Sequence, residues 1–198
     1  MKKLSLTFIV LLLPVFSVFA QKKVTWIVDK EHARVSFSVN HILISETAGI
    51  FREVEGTVKT SNVDFMNSEI DITIDVKSID TGNKERDDHL RSNNFLNAEK
   101  YPRITFKSTS FKKTVGSNYK LAGFLTIRDI TRPVSFDVVY NGIIEKDRWG
   151  KTQAGFKLIG SIDRFDYDVK WNDRLDNGDP IVGRIIDLIV TVELTKVN

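Results

Sequence analysis

The chain has 198 residues, of which 41% are hydrophobic and 28% charged, with a formal net charge of +3. Its eleven glycines and four prolines are too few for a fibrous or low-complexity protein, and a chain of this length buries enough surface to fold without disulfides or a structural metal. The sequence has no cysteine, which excludes disulfide scaffolds, cysteine-ligated zinc, iron–sulfur clusters and cysteine nucleophiles.

The N-terminal segment predicts a secretory signal peptide. Two lysines precede a mainly apolar run over residues 4–13, and the small residue Ala20 stands before a polar stretch. We expect residues 1–20 to be removed and residues 21–198 to form one domain in the periplasm or outside the cell, without an integral membrane span. The remaining net charge of about +1 favours neither nucleic acid nor an anionic membrane as partner.

The first predicted strands lie before residue 80. Apolar side chains at every second position form two rows there: Val35, Phe37 and Val39, then Ile70, Ile72, Ile74 and Val76. Polar residues occupy the positions between them. This period of two predicts strands with one buried and one solvated face.

Residues 83–91 interrupt this alternation and predict a short helix between strands. The segment has no β-branched residue, and Asn83 is suited to cap its N-terminus. Asp87 and Arg91 are four residues apart, so we expect them to pair on the helix surface.

Alternation resumes after the helix and continues to the end of the chain. The apolar rows are Ile104 and Phe106; Tyr119, Leu121, Gly123, Leu125 and Ile127; Val134, Phe136, Val138 and Tyr140; Phe156, Leu158 and Ile162; and Ile186, Leu188, Val190, Val192 and Leu194. Turn residues separate most of these rows, which predicts consecutive antiparallel strands.

The pattern as a whole predicts an all-β protein with eight or nine strands. We expect an eight-stranded antiparallel, lipocalin-like barrel, because nearly every strand is apolar on one face and closure leaves no exposed edge. A two-sheet sandwich is the alternative. An eight-stranded barrel is either filled by its own side chains or wide enough for one small apolar ligand.

The sequence offers little for catalysis or metal binding. Its three histidines, His32, His41 and His89, lie far apart, and the common metal, nucleotide and hydrolase motifs are missing. We therefore predict no catalytic residue, no resident metal and no cofactor other than a bound lipid.

A run of carboxylates at the end of one predicted strand has two interpretations. Asp163, Asp166 and Asp168 could bind calcium or act as an acid and base. Such a run is more often a solvated turn, and Arg164 within it offsets the negative charge. We interpret the segment as a turn.

Several short motifs occur together in a characteristic order. They are Trp26-x-x-Asp29-x-x-His32; Val35-x-Phe37-x-Val39-x-His41; Ser78-Ile79-Asp80-Thr81; Arg86-Asp87-x-His89-Leu90; Gly123-x-Leu125-Thr126-Ile127-Arg128; and Arg164-x-Asp166-Tyr167. In this succession the chain resembles the YceI-like family of secreted lipid- or polyisoprenoid-binding proteins over about residues 24–197. The resemblance implies an extended lipocalin-type barrel, often dimeric, whose apolar cavity holds an isoprenoid chain, a quinone or a fatty-acid-like amphiphile.

The one-sided strands and the resemblance together predict a non-enzymatic carrier or sequestering protein for an apolar lipid. We expect the cavity to be lined by Val35, Phe37, Val39, Ile72, Ile74, Phe106, Leu125, Ile127, Phe136, Val138, Phe156, Leu158, Leu188 and Val190. Gly56, Gly123 and Gly160 should leave open space among these rows. The alternatives are a filled barrel with a structural or stress role, and a secreted enzyme that acts on a lipid through a His and carboxylate pair at a barrel end.

Three side chains near the predicted helix are candidates for a ligand's head group. Arg86, His89 and Arg91 could hold an anionic or carbonyl group at a barrel end, helped by the helix N-terminus. The other interpretation is that they dock the helix on the barrel.

Overall fold

The computed structural model describes residues 23–197, so the predicted signal peptide, residues 1–20, lies outside the described residues. The strands are β1 (Val24–Val28), β2 (Arg34–His41), β3 (Ser45–Phe51), β4 (Val54–Thr60), β5 (Glu69–Asp75), β6 (Ile79–Asp80), β7 (Arg103–Lys113), β8 (Asn118–Ile127), β9 (Ile130–Ile144), β10 (Gln153–Asp163) and β11 (Val182–Lys196). Helix α1 spans Lys84–Arg91, and 3₁₀ helices lie at Val76–Ser78 and Arg164–Tyr167.

The strands close into an antiparallel barrel. Around the ring the order is β1, β4, β5, β7, β8, β9, β10 and β11, and β11 pairs with β1 to complete it. Strand β11 also pairs with β2, which pairs with β3. Strand β3 in turn pairs with β6. Strands β1 and β2, β3 and β4, and β5 and β6 therefore each share one position, so that eleven strands fill eight positions. The predicted barrel is confirmed, and the closed ring replaces the alternative of a sandwich.

Alternation along the strands places the core inside this ring. On β8, Tyr119, Leu121 and Leu125 are buried while Lys120 between them is exposed. The same period of two holds on the neighbouring strands because successive side chains of a strand point to opposite faces.

The loop between β4 and β5 covers one end of the barrel. Phe65 in this loop is almost fully buried, and its ring lies 5.0 Å from that of Trp26 and 5.1 Å from that of Phe156. The Tyr119 hydroxyl donates a hydrogen bond to the Asp64 carbonyl at 2.9 Å, which ties the loop to β8. We call this side the loop end.

Helix α1 and the segment after β10 lie at the opposite end, the helix end. The predicted helix is confirmed, and the Asn83 side chain caps it by accepting from the Arg86 N–H at 3.1 Å. The expected pair of Asp87 with Arg91 is wrong, because buried Asp87 accepts from the N–H and hydroxyl of Thr81 at 2.9 and 2.6 Å. Within residues 23–197, no helix combines the length and the apolar character needed to cross a membrane.

Candidate ligand-binding site

The barrel interior contains two apolar chambers of similar size. The loop-end chamber lies beneath Phe65 and has a volume of about 140 Å³. The helix-end chamber lies beneath Leu90 and has a volume of about 150 Å³. Four side chains line both: Val35, Ile74, Leu125 and Leu188. The chambers are therefore neighbours, with these side chains between them.

All fourteen residues proposed from the sequence as cavity lining surround one or both chambers. Besides the four shared ones, the loop-end chamber contains Ile72, Phe106, Phe136, Val138, Phe156, Leu158 and Val190, and the helix-end chamber contains Phe37, Val39 and Ile127. These side chains come together because the apolar row of each strand points into the same barrel interior. Contact of these side chains with a ligand stays a prediction.

Sequence reasoning missed the lining residues that lie outside the strand rows. They include Phe65 at the loop end and Leu90, Phe95, Leu96, Tyr167 and Val169 at the helix end. These residues belong to loops, to α1 or to a 3₁₀ helix, where no period of two marks the inward direction. The available signal was a short apolar pair within a polar segment, as at Phe65-Met66 and Phe95-Leu96.

The expectation that glycines leave open space in the interior is wrong. A Cβ atom at Gly160 would lie 2.6 Å from Cδ1 of Phe136, and one at Gly123 would lie 2.5 Å from Cζ of Phe106. Each phenyl ring covers the glycine on the neighbouring strand. These glycines therefore make room for aromatic side chains that form the chamber wall.

The helix-end chamber differs from the other in having a buried cation in its wall. Arg164 is 4% exposed, so the segment interpreted as a solvated turn is buried at this residue. Its guanidinium donates to the carbonyl oxygens of Gly183 at 2.8 Å, Val169 at 2.6 Å, Trp171 at 2.8 Å and Val182 at 3.1 Å. Burial lowers the pKa of Arg164 below its usual value, although an arginine stays protonated in proteins.

A second buried polar side chain beside this chamber is Tyr167. The residue is 1% exposed, and its hydroxyl has no hydrogen-bond partner among the described residues. Burial raises the pKa of Tyr167 to about 12, which keeps the phenol protonated at physiological pH. By contrast, every side chain recorded around the loop-end chamber is aliphatic or aromatic without a polar atom.

The two arginines proposed as head-group contacts lie outside both chamber walls. Nε of Arg86 donates to the Thr81 hydroxyl at 2.8 Å, and Nη2 donates to the Thr81 carbonyl at 2.9 Å. Nε of Arg91 donates to the Lys77 carbonyl at 3.0 Å, and Nη2 donates to the Ile79 carbonyl at 2.7 Å. These bonds fasten α1 to the backbone before it, as in the docking interpretation.

The histidine proposed with them also packs outside the chambers. The ring of His89 lies edge-on against Phe95 and Trp171, with both centroid distances at 4.9 Å. A His and carboxylate pair does occur elsewhere: Nδ1 of His32 lies 2.9 Å from Oδ2 of Asp29. This pair, with Glu193 nearby, is absent from both chamber linings.

The surface cluster around His32 has the contacts of a hydrogen-bonded turn. Its hydrogen bond with Asp29 raises the pKa of the exposed His32 above its usual value. Oδ1 of Asp29 also accepts from the Glu31 N–H at 3.0 Å, and Oε2 of Glu193 lies 3.9 Å from Nδ1 of His32. The three side chains could hold a cation in principle, but exposed acidic clusters of this kind are common without one.

Fold and interior together define a class: a small antiparallel barrel of lipocalin type around an enclosed apolar space. A family model described as YceI-like domain matches residues 26–194. The chain is also 37% identical over 197 residues to Protein YceI of Shigella flexneri, covering 98% of this chain and 97% of that protein. The chain belongs to the YceI-like family.

Solved structures share the fold. The crystal structure of the Campylobacter jejuni YceI protein superposes with a TM-score of 0.67 at 27% identity, covering 80% of this chain and 90% of that one. A polyisoprenoid binding domain from Saccharophagus degradans superposes with a TM-score of 0.66 at 12% identity, covering 86% of this chain and 97% of that one. At such low identity the second likeness shows the fold alone.

Proposed function

We propose that this protein binds an apolar amphiphile inside its barrel and carries or sequesters it, without catalysis, in the periplasm or outside the cell. The ligand class is a polyisoprenoid, an isoprenoid quinone or a fatty-acid-like lipid. The observation that carries the proposal is the pair of neighbouring apolar chambers, which the protein's own side chains leave unfilled. The description of the Saccharophagus degradans domain as polyisoprenoid-binding supports the same ligand class.

The energetics of the empty interior favour a bound ligand. Unfilled volume destabilises a core by about 24 cal/mol per Å³, so each chamber would cost about 3.5 kcal/mol when empty. An apolar cavity of about 150 Å³ stays dry and takes up small apolar molecules. Burial of about 400 Å² of a lipid tail would contribute roughly 10 kcal/mol before the costs of association.

Such a site should select ligands by the shape of the tail. Because the two chambers share four wall residues, an elongated chain would extend from one chamber past these side chains into the other. Hydrophobic stabilisation depends on the apolar area removed from water and has no preferred direction. Tail length and width should therefore affect binding more strongly than tail chemistry.

The direct test is native mass spectrometry of the protein purified from its own host. We expect a bound lipid mass that organic extraction removes and that added quinones or prenols restore. A ligand-free mass, together with no uptake of these lipids, would contradict the proposal.

A matched pair of variants on β11 tests whether the ligand lies inside the barrel. Leu188 lines both chambers, whereas the next residue, Ile189, is 45% exposed on the outer face. Leu188→Phe should fill the space between the chambers and lower lipid affinity about tenfold or more, since each 1.4 kcal/mol lost is a factor of ten. Ile189→Phe should leave affinity unchanged. Equal affinities of the two variants, both with cooperative melts, would place the ligand elsewhere.

A further inference from the structure

Three large apolar side chains project into solvent at the loop end. Val63 lies in the loop between β4 and β5, Val115 in the turn between β7 and β8, and Trp149 in the turn between β9 and β10. They are 96%, 77% and 65% exposed, and we call them the apolar tips. Every second connection of this antiparallel ring lies at the same end, so the tips form one group. Single exposed apolar residues are common, but such a group is typical of an interaction surface.

Basic side chains surround the apolar tips. In residues 112–118 and 145–152 they are Lys112, Lys113, Lys146, Arg148 and Lys151. None of these five forms an ion pair among residues 23–197. The Arg148 guanidinium lies 3.9 Å from the centroid of the Trp149 ring. The carboxylates of the three connections are fewer: Asp64, Glu145 and Asp147.

The helix end has the opposite excess of charge. Residues 164–181, between β10 and β11, contain five aspartates and three basic residues. Residues 76–102, between β5 and β7, contain five acidic residues and five lysines or arginines. The net charge of about +1 does not reveal this separation, because charges of opposite sign cancel in the sum. An anionic surface would therefore attract the loop end and not the helix end.

We propose that the loop end is a membrane-docking face, on which the apolar tips insert among the head groups of an anionic lipid bilayer and the five basic side chains contact its phosphates. Tryptophan is enriched at membrane interfaces, and binding there increases with buried apolar area and with attraction to anionic lipids. A protein partner fits this face less well. Three separate tips offer little continuous area, whereas a stable protein interface buries about 800 Å² on each side.

Docking at the loop end would bring the barrel interior close to a source of lipid. Phe65, in the same loop as Val63, covers the loop-end chamber. The inference goes beyond the proposed function, because it concerns the surface that meets a membrane and not the content of the barrel.

Sedimentation with sucrose-loaded vesicles tests the docking face. The probes are vesicles of equal parts phosphatidylglycerol and phosphatidylcholine, and vesicles of phosphatidylcholine alone. We expect the protein purified from its own host to bind the anionic vesicles at least about tenfold more tightly, and high salt to remove this preference by screening. Equal binding to both kinds of vesicle, or no binding to either, would overturn the docking face.

A matched pair of variants shows which end of the barrel binds. Trp149→Ser removes one apolar tip, so we expect affinity for the anionic vesicles to fall about tenfold. Ile44→Ser is the control, since Ile44 is 83% exposed between β2 and β3 at the helix end. It should leave affinity unchanged. Equal losses in two variants that both melt cooperatively, or a loss in Ile44→Ser alone, would overturn the assignment to the loop end.

Acrylamide quenching of tryptophan fluorescence locates the contact. Trp149 is exposed, whereas Trp26 is buried and Trp171 is half-buried. Anionic vesicles should therefore protect the parent protein from quenching, and Trp149→Phe should lose this protection. Vesicle-bound parent protein that is quenched as strongly as free protein would overturn the insertion of Trp149.

Failure of the docking face and failure of the proposed function give different results. A protein that retains bound lipid in native mass spectrometry but binds no vesicles would overturn the docking face alone. A protein that binds anionic vesicles through Trp149 but takes up no lipid would overturn the proposed function and leave the docking face in place.

Discussion

The two chambers have nearly the same volume but are built differently. The loop-end chamber is walled mainly by alternating strand residues and has no polar atom in its lining. The helix-end chamber is closed by α1, a 3₁₀ helix and the segments that follow them, and the buried side chains of Arg164 and Tyr167 lie beside it. Regular strands thus surround one chamber with apolar side chains alone, whereas irregular segments bury polar side chains next to the other.

The backbone explains why the buried arginine lies at the helix end. Within a sheet, the carbonyl groups of central strands are occupied by ladder hydrogen bonds. Val169 and Trp171 lie outside the strands, and Val182 and Gly183 lie where the pairing of β11 with β2 is irregular. Their carbonyl oxygens are available to Arg164, so the guanidinium can be buried there with most of its donors paired.

The largest effect should come from removing that arginine. Arg164→Met would leave four carbonyl groups without their donor, so we expect the free energy of unfolding to fall by about 3 to 5 kcal/mol in urea titrations. Arg184→Met is the control, since it removes an exposed ion pair with Asp163 that should contribute at most about 1 kcal/mol. Equal losses for the two variants would contradict the importance of the buried cation.

Alkaline pH should destabilise the helix end through Tyr167. The unfolded phenol ionises at about pH 10 and the folded one at about 12, so the folded state binds more protons between these values. Stability is then fully present below pH 10 and decreases as pH rises to 12, by about 2 to 3 kcal/mol for this group. Tyr167→Phe should show a smaller decrease in unfolding free energy over this window. Identical pH profiles would show that the phenol ionises equally in both states.

The loop-end chamber should respond to a small change at its wall. In Gly160→Ala the added Cβ would displace the Phe136 ring, so we expect a loss of about 1 to 3 kcal/mol in unfolding free energy. The displaced ring should also lower the affinity for an added prenol. Gly155→Ala on the same strand is the control, because its nearest atom, in Asn141, is 3.5 Å away. A Gly160→Ala protein with unchanged stability and affinity would show that Phe136 does not form a rigid wall.

The smallest effects should come from the side chains that dock α1. Arg86→Gln and His89→Gln change residues outside both chambers, so we expect affinity for an added prenol to change less than about twofold, which is under 0.5 kcal/mol. Displacement of a fluorescent apolar probe by the prenol measures this directly. A larger loss of affinity in either variant would show that the helix side chains contact the ligand.

Much of the barrel could be predicted because the alternation that marks each strand involves residues that are adjacent in the sequence. The row at Ile72 and Ile74 and the row at Leu188 and Val190 show the inward face of their strands by alternation alone. Phe65 could not be placed in the same way, because its burial depends on the loop folding over Trp26 and Phe156. The glycines could not be interpreted from the sequence either. A glycine shows only that a side chain is missing, whereas the packing shows which phenyl ring occupies that space.

The sequence by itself determined the barrel, the inward rows of its strands and helix α1 with its Asn83 cap, since each depends on neighbours within a few residues. Only the tertiary structure decided that the interior is divided into two chambers and that Arg164 and Tyr167 are buried beside one of them. Arg164 and Tyr167 were visible in a polar turn. Their burial depends on carbonyl groups and apolar side chains brought together from distant parts of the chain. Contacts between residues so far apart in the chain produce no periodic pattern in the sequence.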